Sequence, residues 1–262
     1  MTVSSIKYYT GKGISHRHFH DSHQLLFVTG GRASIKINGK EQHLYAGCLA
    51  VIGRFERHSV TPESADFTRY ALRLSQTLEI SDILYSVFYN RPHGFSNVFD
   101  MSECTDEISV IFKELLSESS TKLPMRENMQ KLLIDKLLII LYRKYPEVFE
   151  YTQDENFEKV AAIQREFEDG FFESFSLDEL AEKYNISVSH LSHCFKRITG
   201  SSVMGYLLQC RLSAAKKMLT HSRSTVSEIV DACGFSDSSN FSRTFKENTG
   251  LTPSDFRKKY SI

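Results

Sequence analysis

The stretch SLDELAEKYNIS at residues 176–187 is matched 49 positions later by TVSEIVDACGFS at residues 225–236. Both stretches begin with a hydroxyl residue and place a glutamate three positions further on, as Ser176 and Glu179 do in the first. This spacing is a capping box, in which the hydroxyl and the carboxylate each accept a hydrogen bond from a backbone N–H group at a helix start. The pattern therefore predicts a duplicated helical unit in the C-terminal part of the chain.

The end of this unit is matched as well. FKRITG at residues 195–200 corresponds to FKENTG at residues 245–250, now at an offset of 50, so the second copy has one extra residue in its turn. The final glycine of each copy suits a left-handed helix stop. Each copy is therefore predicted to be a helix, a tight turn and a second helix with an apolar inner face, which is helix-turn-helix geometry. Residues 202–219 predict one long helix between the copies.

Three segments around these copies carry a known signature. They are RLSAAKKML at residues 211–219, IVDACGFSDSSNFSRTFK at residues 229–246 and GLTP at residues 250–253. Together they closely resemble the signature of the AraC/XylS family of transcription regulators, over about residues 156–260. The resemblance implies a sequence-specific DNA-binding regulator rather than an enzyme. It also implies that both second helices enter successive major grooves of double-stranded DNA, about 34 Å apart.

The second helix of each copy leaves polar side chains outside its apolar stripe, and these are the candidate DNA contacts. The predicted base contacts are Ser189, Ser192, His193, Ser238, Ser239, Ser242 and Arg243. Arg243 is the strongest of them because a guanidinium group can bond two acceptors of guanine; a phosphate contact or a plain surface charge is the alternative. The predicted phosphate contacts are Lys196, Arg197, Arg211 and Lys246. For Arg211, in the middle of the long helix, an ion pair or solvent exposure is an equal alternative.

The charge distribution agrees with a DNA-binding C-terminal end, although the whole chain is neutral. It has 32 Lys and Arg residues against 32 Asp and Glu residues. From Ser189 onward, 11 basic residues stand against 5 acidic ones, a net charge of +6. A run of charge is weak evidence by itself, since most such runs are solvated surfaces, but this one lies on the predicted DNA-binding helices.

Cysteine usage and hydropathy indicate the cellular compartment in which the protein is expected. The five cysteines are scattered and none forms a C-x-x-C pair, which argues against a disulfide framework and a structural zinc site and fits a reducing cytosol. The N-terminal residues lack the pattern of a signal peptide. The most apolar stretch, residues 132–142, is far too short to span a bilayer. We therefore expect a cytoplasmic protein with no membrane partner.

A group of histidines marks the N-terminal part. The segment HRHFHDSH at residues 16–23, together with His58, resembles the cupin-like β-barrel at the front of many AraC-type regulators. In metal-binding cupins two strand histidines, a glutamate and a later histidine bind a divalent ion, and His18, His20 and His58 match those histidines. Gln24 stands near the position of the glutamate, however, and an amide is a poor metal ligand. We therefore expect no cofactor and no metal ion, and a pocket or surface histidine cluster instead.

The resemblance implies that the barrel binds a small organic effector, which no motif identifies. The candidate contacts, chosen by resemblance and chemistry, are His18, His20, Gln24, Arg54, His58 and Tyr70. Short strands with a hairpin signal at Asn38-Gly39 extend to about residue 75, and helical periodicity begins near residue 78.

The predicted fold class is α+β multidomain, with an N-terminal cupin-like antiparallel β-barrel, a helical appendage and a C-terminal all-α double helix-turn-helix domain. The expected domains are residues 1–98 for the effector-binding barrel, 99–149 for a helical dimerisation and connecting segment, 150–155 for a linker and 156–262 for the DNA-binding domain.

The helices predicted at residues 105–118 and 126–145 are candidate contact surfaces for further partners. The second has an apolar stripe, Leu132, Leu133, Leu137, Ile140 and Leu141, which suits either self-association as a homodimer or cover for the barrel. RNA polymerase is a further candidate partner. Two alternatives stay open: a metal-dependent cupin enzyme with an accessory helical domain, which needs an acidic ligand in the barrel, and a regulator without a small-molecule ligand.

Overall fold

The chain divides into an N-terminal unit, Met1–Gln153, and a C-terminal unit, Asp154–Ile262. The computed structural model describes residues 2–11, 15–75, 87–88, 95–149 and 155–260. Residues 150–154, most of the predicted linker, lie outside the described residues, and Glu155 already begins a helix. No helix within the described ranges is long and apolar enough to cross a membrane.

Short alternating segments of the N-terminal unit form strands that pair in two sheets. The described strands are β1 (Thr2–Thr10), β2 (Ser15–His18), β3 (His23–Gly30), β4 (Arg32–Ile37), β5 (Lys40–Tyr45), β6 (Cys48–Ile52), β7 (His58–Pro62), β8 (Thr68–Ser75) and β9 (Val98–Asp100). One sheet has the order β1-β8-β3-β6-β9 and the other β2-β7-β4-β5. These strands pair antiparallel throughout, which confirms the predicted antiparallel architecture.

Strand β3 lies at the centre of the five-stranded sheet and is buried on both faces. Leu26 and Val28 pack into a core shared with residues of the other sheet, such as Ile35. Leu25 and Phe27 pack into a second core together with helical residues. Because side chains alternate across a strand, the position of a residue along β3 or β8 decides which of the two cores it joins.

The hairpin between β4 and β5 is the one predicted from Asn38-Gly39. Both residues have positive φ angles, 49° and 93°, as a two-residue type I′ turn requires. The Asn38 side chain is also hydrogen-bonded to the loop before β7: its Nδ2 donates to the Glu56 carboxylate at 3.2 Å. The Glu56 carboxylate in turn accepts from the Gly53 N–H at 2.6 Å. The turn therefore fixes the loop that leads to His58.

Helices cover the outer face of the five-stranded sheet. They are α1 (Thr105–Ser120), α2 (Arg126–Lys144) and the short α3 (Pro146–Phe149). The Phe112 ring of α1 stacks on Phe27 and Tyr70, with ring centroids 5.5 and 5.3 Å apart. Two details differ from the sequence pattern. Strand β9, too short to show a periodicity, lies where helix is predicted, and Leu132 is 64% exposed because Leu133 takes the inward position.

The described part of the C-terminal unit consists of helices and their connections. The helices are α4 (Glu155–Asp169), α5 (Leu177–Lys183), α6 (Val188–Thr199), α7 (Val203–His221), α8 (Val226–Ala232), α9 (Ser238–Thr249) and α10 (Pro253–Tyr260). The 19 residues of α7 form a rod of about 28 Å. It packs against α4, α6, α8 and α10. The long helix predicted between the two copies is thereby confirmed, and it contacts both of them.

Candidate functional site

Both predicted capping boxes are formed. In the first copy the Ser176 hydroxyl accepts from the Glu179 N–H at 3.2 Å, and the Glu179 carboxylate accepts from the Ser176 N–H at 3.3 Å. In the second copy Thr225 and Glu228 form the same two bonds at 3.2 and 2.6 Å. The helices α5 and α8 therefore start in equivalent ways.

The turns that follow differ as the one-residue offset predicts. Asn185, with φ 48°, supplies the left-handed residue of the first turn, and Gly234, with φ 71°, supplies that of the second. Ser187 then caps α6, whereas α9 is capped by Asp237, whose carboxylate accepts from the Asn240 N–H at 2.7 Å. The extra residue therefore lies between the second turn and its helix.

The inner faces of α6 and α9 are buried, as predicted. Their buried side chains are Leu191, Cys194, Phe195 and Ile198 on α6, and Phe241 and Phe245 on α9. Gly200 and Gly250 end the two helices in the left-handed conformation, with φ angles of 73° and 78°. Helices α6 and α9 thus share one frame, meaning the same pattern of buried positions and the same glycine stop. They therefore expose equivalent faces.

The exposed faces carry the predicted DNA contacts at matched positions, 50 residues apart. Exposed on α6 are Ser189, His193, Lys196 and Arg197, and Ser192 is half-buried. Exposed on α9 are Ser238, Ser239, Arg243 and Lys246, and Ser242 is half-buried. His193 and Arg243 therefore occupy the same place on their helices, and so do Lys196 and Lys246.

The structure gives Arg211 a different role from the predicted phosphate contact. Its guanidinium donates to the carbonyls of Phe171 and Glu173, both at 2.8 Å, and burial lowers its pKa. Arg211 therefore ties the loop before α5 to α7 and serves the fold. Arg257, which the sequence pattern does not single out, makes a similar tie before α8 by donating to the Ser224 carbonyl at 2.5 Å.

In the N-terminal unit, three histidines meet where the two sheets approach each other. His18 and His58 pair across β2 and β7, and their ring centroids are 4.4 Å apart. His20 follows β2, and its ring centroid lies 5.0 Å from that of His58. One ring nitrogen from each residue lies within 4.8 Å of those of the other two. His58 is 2% exposed, and the other two are half-buried.

Hydrogen bonds to carbonyl groups set the tautomers of two rings. Nδ1 of His58 lies 2.8 Å from the Glu56 carbonyl, and Nδ1 of His20 lies 2.8 Å from the Ser22 carbonyl. Because a carbonyl only accepts, both Nδ1 atoms carry the proton, and a neutral ring then has its lone pair on Nε2. Nε2 of His20 is 2.7 Å from the Gln24 side-chain amide. With neutral His20, that amide must turn its NH₂ group toward the ring and donate.

The surroundings keep these rings neutral. Burial is the main cause that lowers the pKa of His20 to about 4 and that of His58 to about 3. The guanidinium of Arg73 and the neighbouring imidazoles lower both values further. At neutral pH His20 and His58 are therefore uncharged imidazoles beside one positive charge.

Arg73 is a member of this site that the sequence pattern does not single out. Its Cα lies opposite Gln24 in the pairing of β8 with β3, and Gln24 bonds His20. The alternation of side chains along TRYALRLS in β8 could have indicated its place. Arg73 lies on the same face of the strand as Ala71, whereas Tyr70 lies on the opposite face.

Four of the predicted effector contacts meet in the cluster: His18, His20, Gln24 and His58. The described contacts of Tyr70 and Arg54 lie elsewhere. Tyr70 packs in the helix-covered core beside Phe112, so its predicted effector contact is not supported. Arg54 lies in the loop after β6, where its Nε donates to the Asp21 carbonyl at 2.8 Å.

Comparisons with known proteins identify the family of both units. Residues 5–133 match the family model of the AraC-like ligand binding domain, and residues 180–259 match that of a helix-turn-helix domain. The HTH-type transcriptional activator RhaR of Shigella dysenteriae is 28% identical over 253 residues, which cover 92% of this chain and 86% of that protein. RhaR of Escherichia coli K12 is 27% identical over the same length. Both relatives are transcriptional activators.

The fold is shared with a solved regulator. ToxT from Vibrio cholerae superposes over 100% of both chains with a TM-score of 0.68 at 11% identity. A second ToxT structure, with a bound organic acid, gives a TM-score of 0.66 at 12% identity over the same coverage. From the two family models and the match to RhaR, the chain belongs to the AraC family of transcription regulators, with an N-terminal ligand-binding domain followed by a helix-turn-helix DNA-binding domain.

Proposed function

We propose that this regulator binds one DNA site with both helix-turn-helix units at once, α6 and α9 lying in successive major grooves. The observation that carries this proposal is the duplicated frame, which exposes equivalent faces on the two helices. Helix α7 packs against helices of both copies. A rigid helix in that place would hold the two recognition helices at a fixed separation on the DNA.

Arg243 is the base contact from which we expect most sequence preference. Its side chain is exposed, and a guanidinium N–H donates to Oδ1 of Asn240, one turn earlier, at 3.3 Å. That bond directs the side chain toward the start of α9, the part of a recognition helix that reaches base edges. The other proposed base contacts are Ser189, Ser192, His193, Ser238, Ser239 and Ser242. The serine hydroxyls both donate and accept, so they discriminate little between bases.

The proposed phosphate contacts are Lys196, Arg197 and Lys246. All three are exposed, and Lys196 and Lys246 lie one turn after His193 and Arg243. In that position they would face the DNA backbone at the edge of the groove. Each such contact releases counterions and makes binding weaker as salt rises.

The test is binding to the DNA upstream of the regulator's own gene, followed by fluorescence anisotropy. The double variant His193→Ala with Arg243→Ala is expected to bind at least about tenfold more weakly than the unchanged protein. Lys131→Ala, at an exposed position of α2 in the other unit, is the matched control and should bind unchanged. Full affinity in the double variant would contradict the assignment of the recognition helices.

For the N-terminal unit we propose a small acidic effector. The supporting observation is the group of His18, His20, Gln24 and His58 beside Arg73, which offers several polar ring and amide groups and one positive charge. ToxT has been solved with an unsaturated fatty acid and with a substituted butenoic acid, and both are carboxylic acids. A thermal-shift screen of small carboxylic acids tests this proposal. A hit should lose its effect in Arg73→Gln and change the affinity for operator DNA.

We also propose that the regulator is a homodimer and that α2 provides the contact. Met129 and Leu132 lie one turn apart on α2 and are 47% and 64% exposed, and Met125, the residue just before the helix, is 70% exposed. An exposed apolar stripe of this kind is typical of an interaction surface. Leu132→Glu should shift the sedimentation of the protein from dimer to monomer, and Lys131→Ala should not.

RNA polymerase is proposed as a second protein partner because the RhaR relatives are activators.

A further inference from the structure

The three histidines of the N-terminal unit meet more closely than an ordinary pocket lining requires. Their nearest ring nitrogens all lie within 4.8 Å of one another. The three residues come from two strands and a loop, and the pairing of β2 with β7 sets His18 directly opposite His58. The backbone therefore holds the cluster in place, and rotations of the two half-buried rings, those of His18 and His20, can close it further.

His58 is the residue that points to a ligand. Its Nε2 atom is buried and has no hydrogen-bond partner within the described residues, while Nδ1 is held by the Glu56 carbonyl at 2.8 Å. A buried polar atom without a partner is costly in a folded protein. A histidine whose Nδ1–H donates to a carbonyl, with the Nε2 lone pair open, has the outer hydrogen bond that metal-ligating histidines have. His20 makes the same bond to the Ser22 carbonyl.

We propose that His18, His20 and His58 bind one divalent transition-metal ion through imidazole nitrogens. Imidazole suits zinc, copper, iron and nickel, whereas calcium and magnesium prefer oxygen ligands. Zinc–nitrogen bonds of about 2.0–2.1 Å put the ligand atoms of a tetrahedral site roughly 3.4 Å apart. The rings of His18 and His20 therefore have to move inward by a small amount, and His20 gives up its bond to Gln24.

This inference revises the expectation of no metal drawn from Gln24. Three histidines already provide the protein ligands of an open site, in which the fourth position is left to water or to another molecule. An amide in place of a carboxylate leaves the site without a negative charge. The guanidinium of Arg73 is positive as well and repels a bare ion. The ion is therefore expected to bind together with an anion, and the proposed acidic effector is of the right class.

The test is titration of the untagged, metal-free full-length protein with Zn²⁺ by calorimetry and with Co²⁺ by visible absorption. We expect one ion per chain and ligand-field bands of nitrogen-coordinated cobalt. His58→Ala should weaken binding at least about 100-fold, beyond the ~10–100-fold typical of losing an outer hydrogen-bond partner. His43→Ala, at a histidine of β5 whose side chain is 80% exposed, is the control and should bind the ion unchanged.

Two further variants keep the test decisive should His58→Ala fail to fold. His18→Ala changes a half-buried ring and should also abolish tight binding. Arg73→Gln should tighten binding of the ion several-fold, because it removes a like charge; damage to the fold would not do so. The proposal would be overturned if the protein bound no stoichiometric metal ion, or if binding survived in both histidine variants.

The inference rests on the proposed ligand-binding role of this unit, and the two can fail separately. Should no metal bind while a carboxylic acid still changes operator affinity through Arg73, only the metal proposal fails. Should the metal bind while no acid changes operator affinity, the metal proposal stands and the effector proposal fails.

Discussion

The two helix-turn-helix copies have the same frame and different exposed residues. Both start with a capping box, bury a phenylalanine at the same place and stop at a left-handed glycine. On the exposed face, however, His193 of the first copy stands where the second has Arg243. The two copies therefore keep the same frame, while their contact surfaces differ. The difference also predicts unequal shares in DNA recognition, with the second copy contributing more.

Removing the buried phenylalanine of either copy should have the largest effect. Phe195 and Phe245 are fully buried at equivalent positions. Phe195→Ala and Phe245→Ala should each lower the free energy of unfolding by about 3–5 kcal/mol, because both leave a cavity the size of a ring. Chemical unfolding followed by circular dichroism measures this. A cost several-fold smaller in one variant would show that the two frames are not equivalent.

The turns are where the frames are predicted to differ. A Cβ atom on Gly234 would lie 2.6 Å from the carbonyl oxygen of Phe172, and its φ is 71°. Gly234→Ala should therefore cost about 2–3 kcal/mol through strain and close contact. Asn185 occupies the equivalent turn with a side chain already present. Asn185→Gly should change stability by less than about 1 kcal/mol in the same unfolding experiment.

Exchanging the two exposed residues tests their unequal roles. Arg243→His should weaken operator binding by about 1–3 kcal/mol and relax the preference for the base it contacts. His193→Arg should strengthen binding to sites that present guanine at the corresponding position. Selection of bound sequences from a random pool, with anisotropy on the winners, measures both effects. Unchanged preference in both variants would show that neither position contacts a base.

The frame of the C-terminal unit could be predicted because each of its signals is local. A capping box spans four residues, a helix stop depends on one glycine, and the inner stripe follows helical spacing. The role of Arg211 could not be predicted in this way, because its partner Phe171 is 40 residues distant in sequence. A basic residue on a helix gives no sign of whether it bonds a carbonyl of its own chain or a phosphate.

The N-terminal site shows the same limit more strongly. The histidines are conspicuous in sequence, but their convergence depends on the pairing of β2 with β7. Arg73 joins them only through the pairing of β8 with β3. By chemistry Tyr70 is the more attractive residue of β8, but it lies on the wrong face because side chains alternate. A shift of one position along a strand moves a residue from the site to the opposite core.

The two capping boxes should contribute equally and modestly. Ser176→Ala and Thr225→Ala should each cost about 1 kcal/mol of stability, since each removes the acceptor of one helix-start N–H group. The two bonds are equally long, 3.2 Å in both copies. Unfolding midpoints of the two variants, measured side by side, check this. A large inequality would mean that one of the two helix starts is fastened by other contacts.

The smallest expected effect is a pH dependence of the second box. Hydrogen bonds from the Thr225 N–H and hydroxyl lower the pKa of the Glu228 carboxyl. A carboxyl whose pKa is lower in the folded state stabilises the protein above its unfolded pKa. That contribution is lost as pH falls through the folded pKa. Glu228→Gln should therefore lower the melting temperature slightly at neutral pH and not at all once the carboxyl is protonated. A constant difference between the two proteins across that range would show that the charge of Glu228 has no part in the cap.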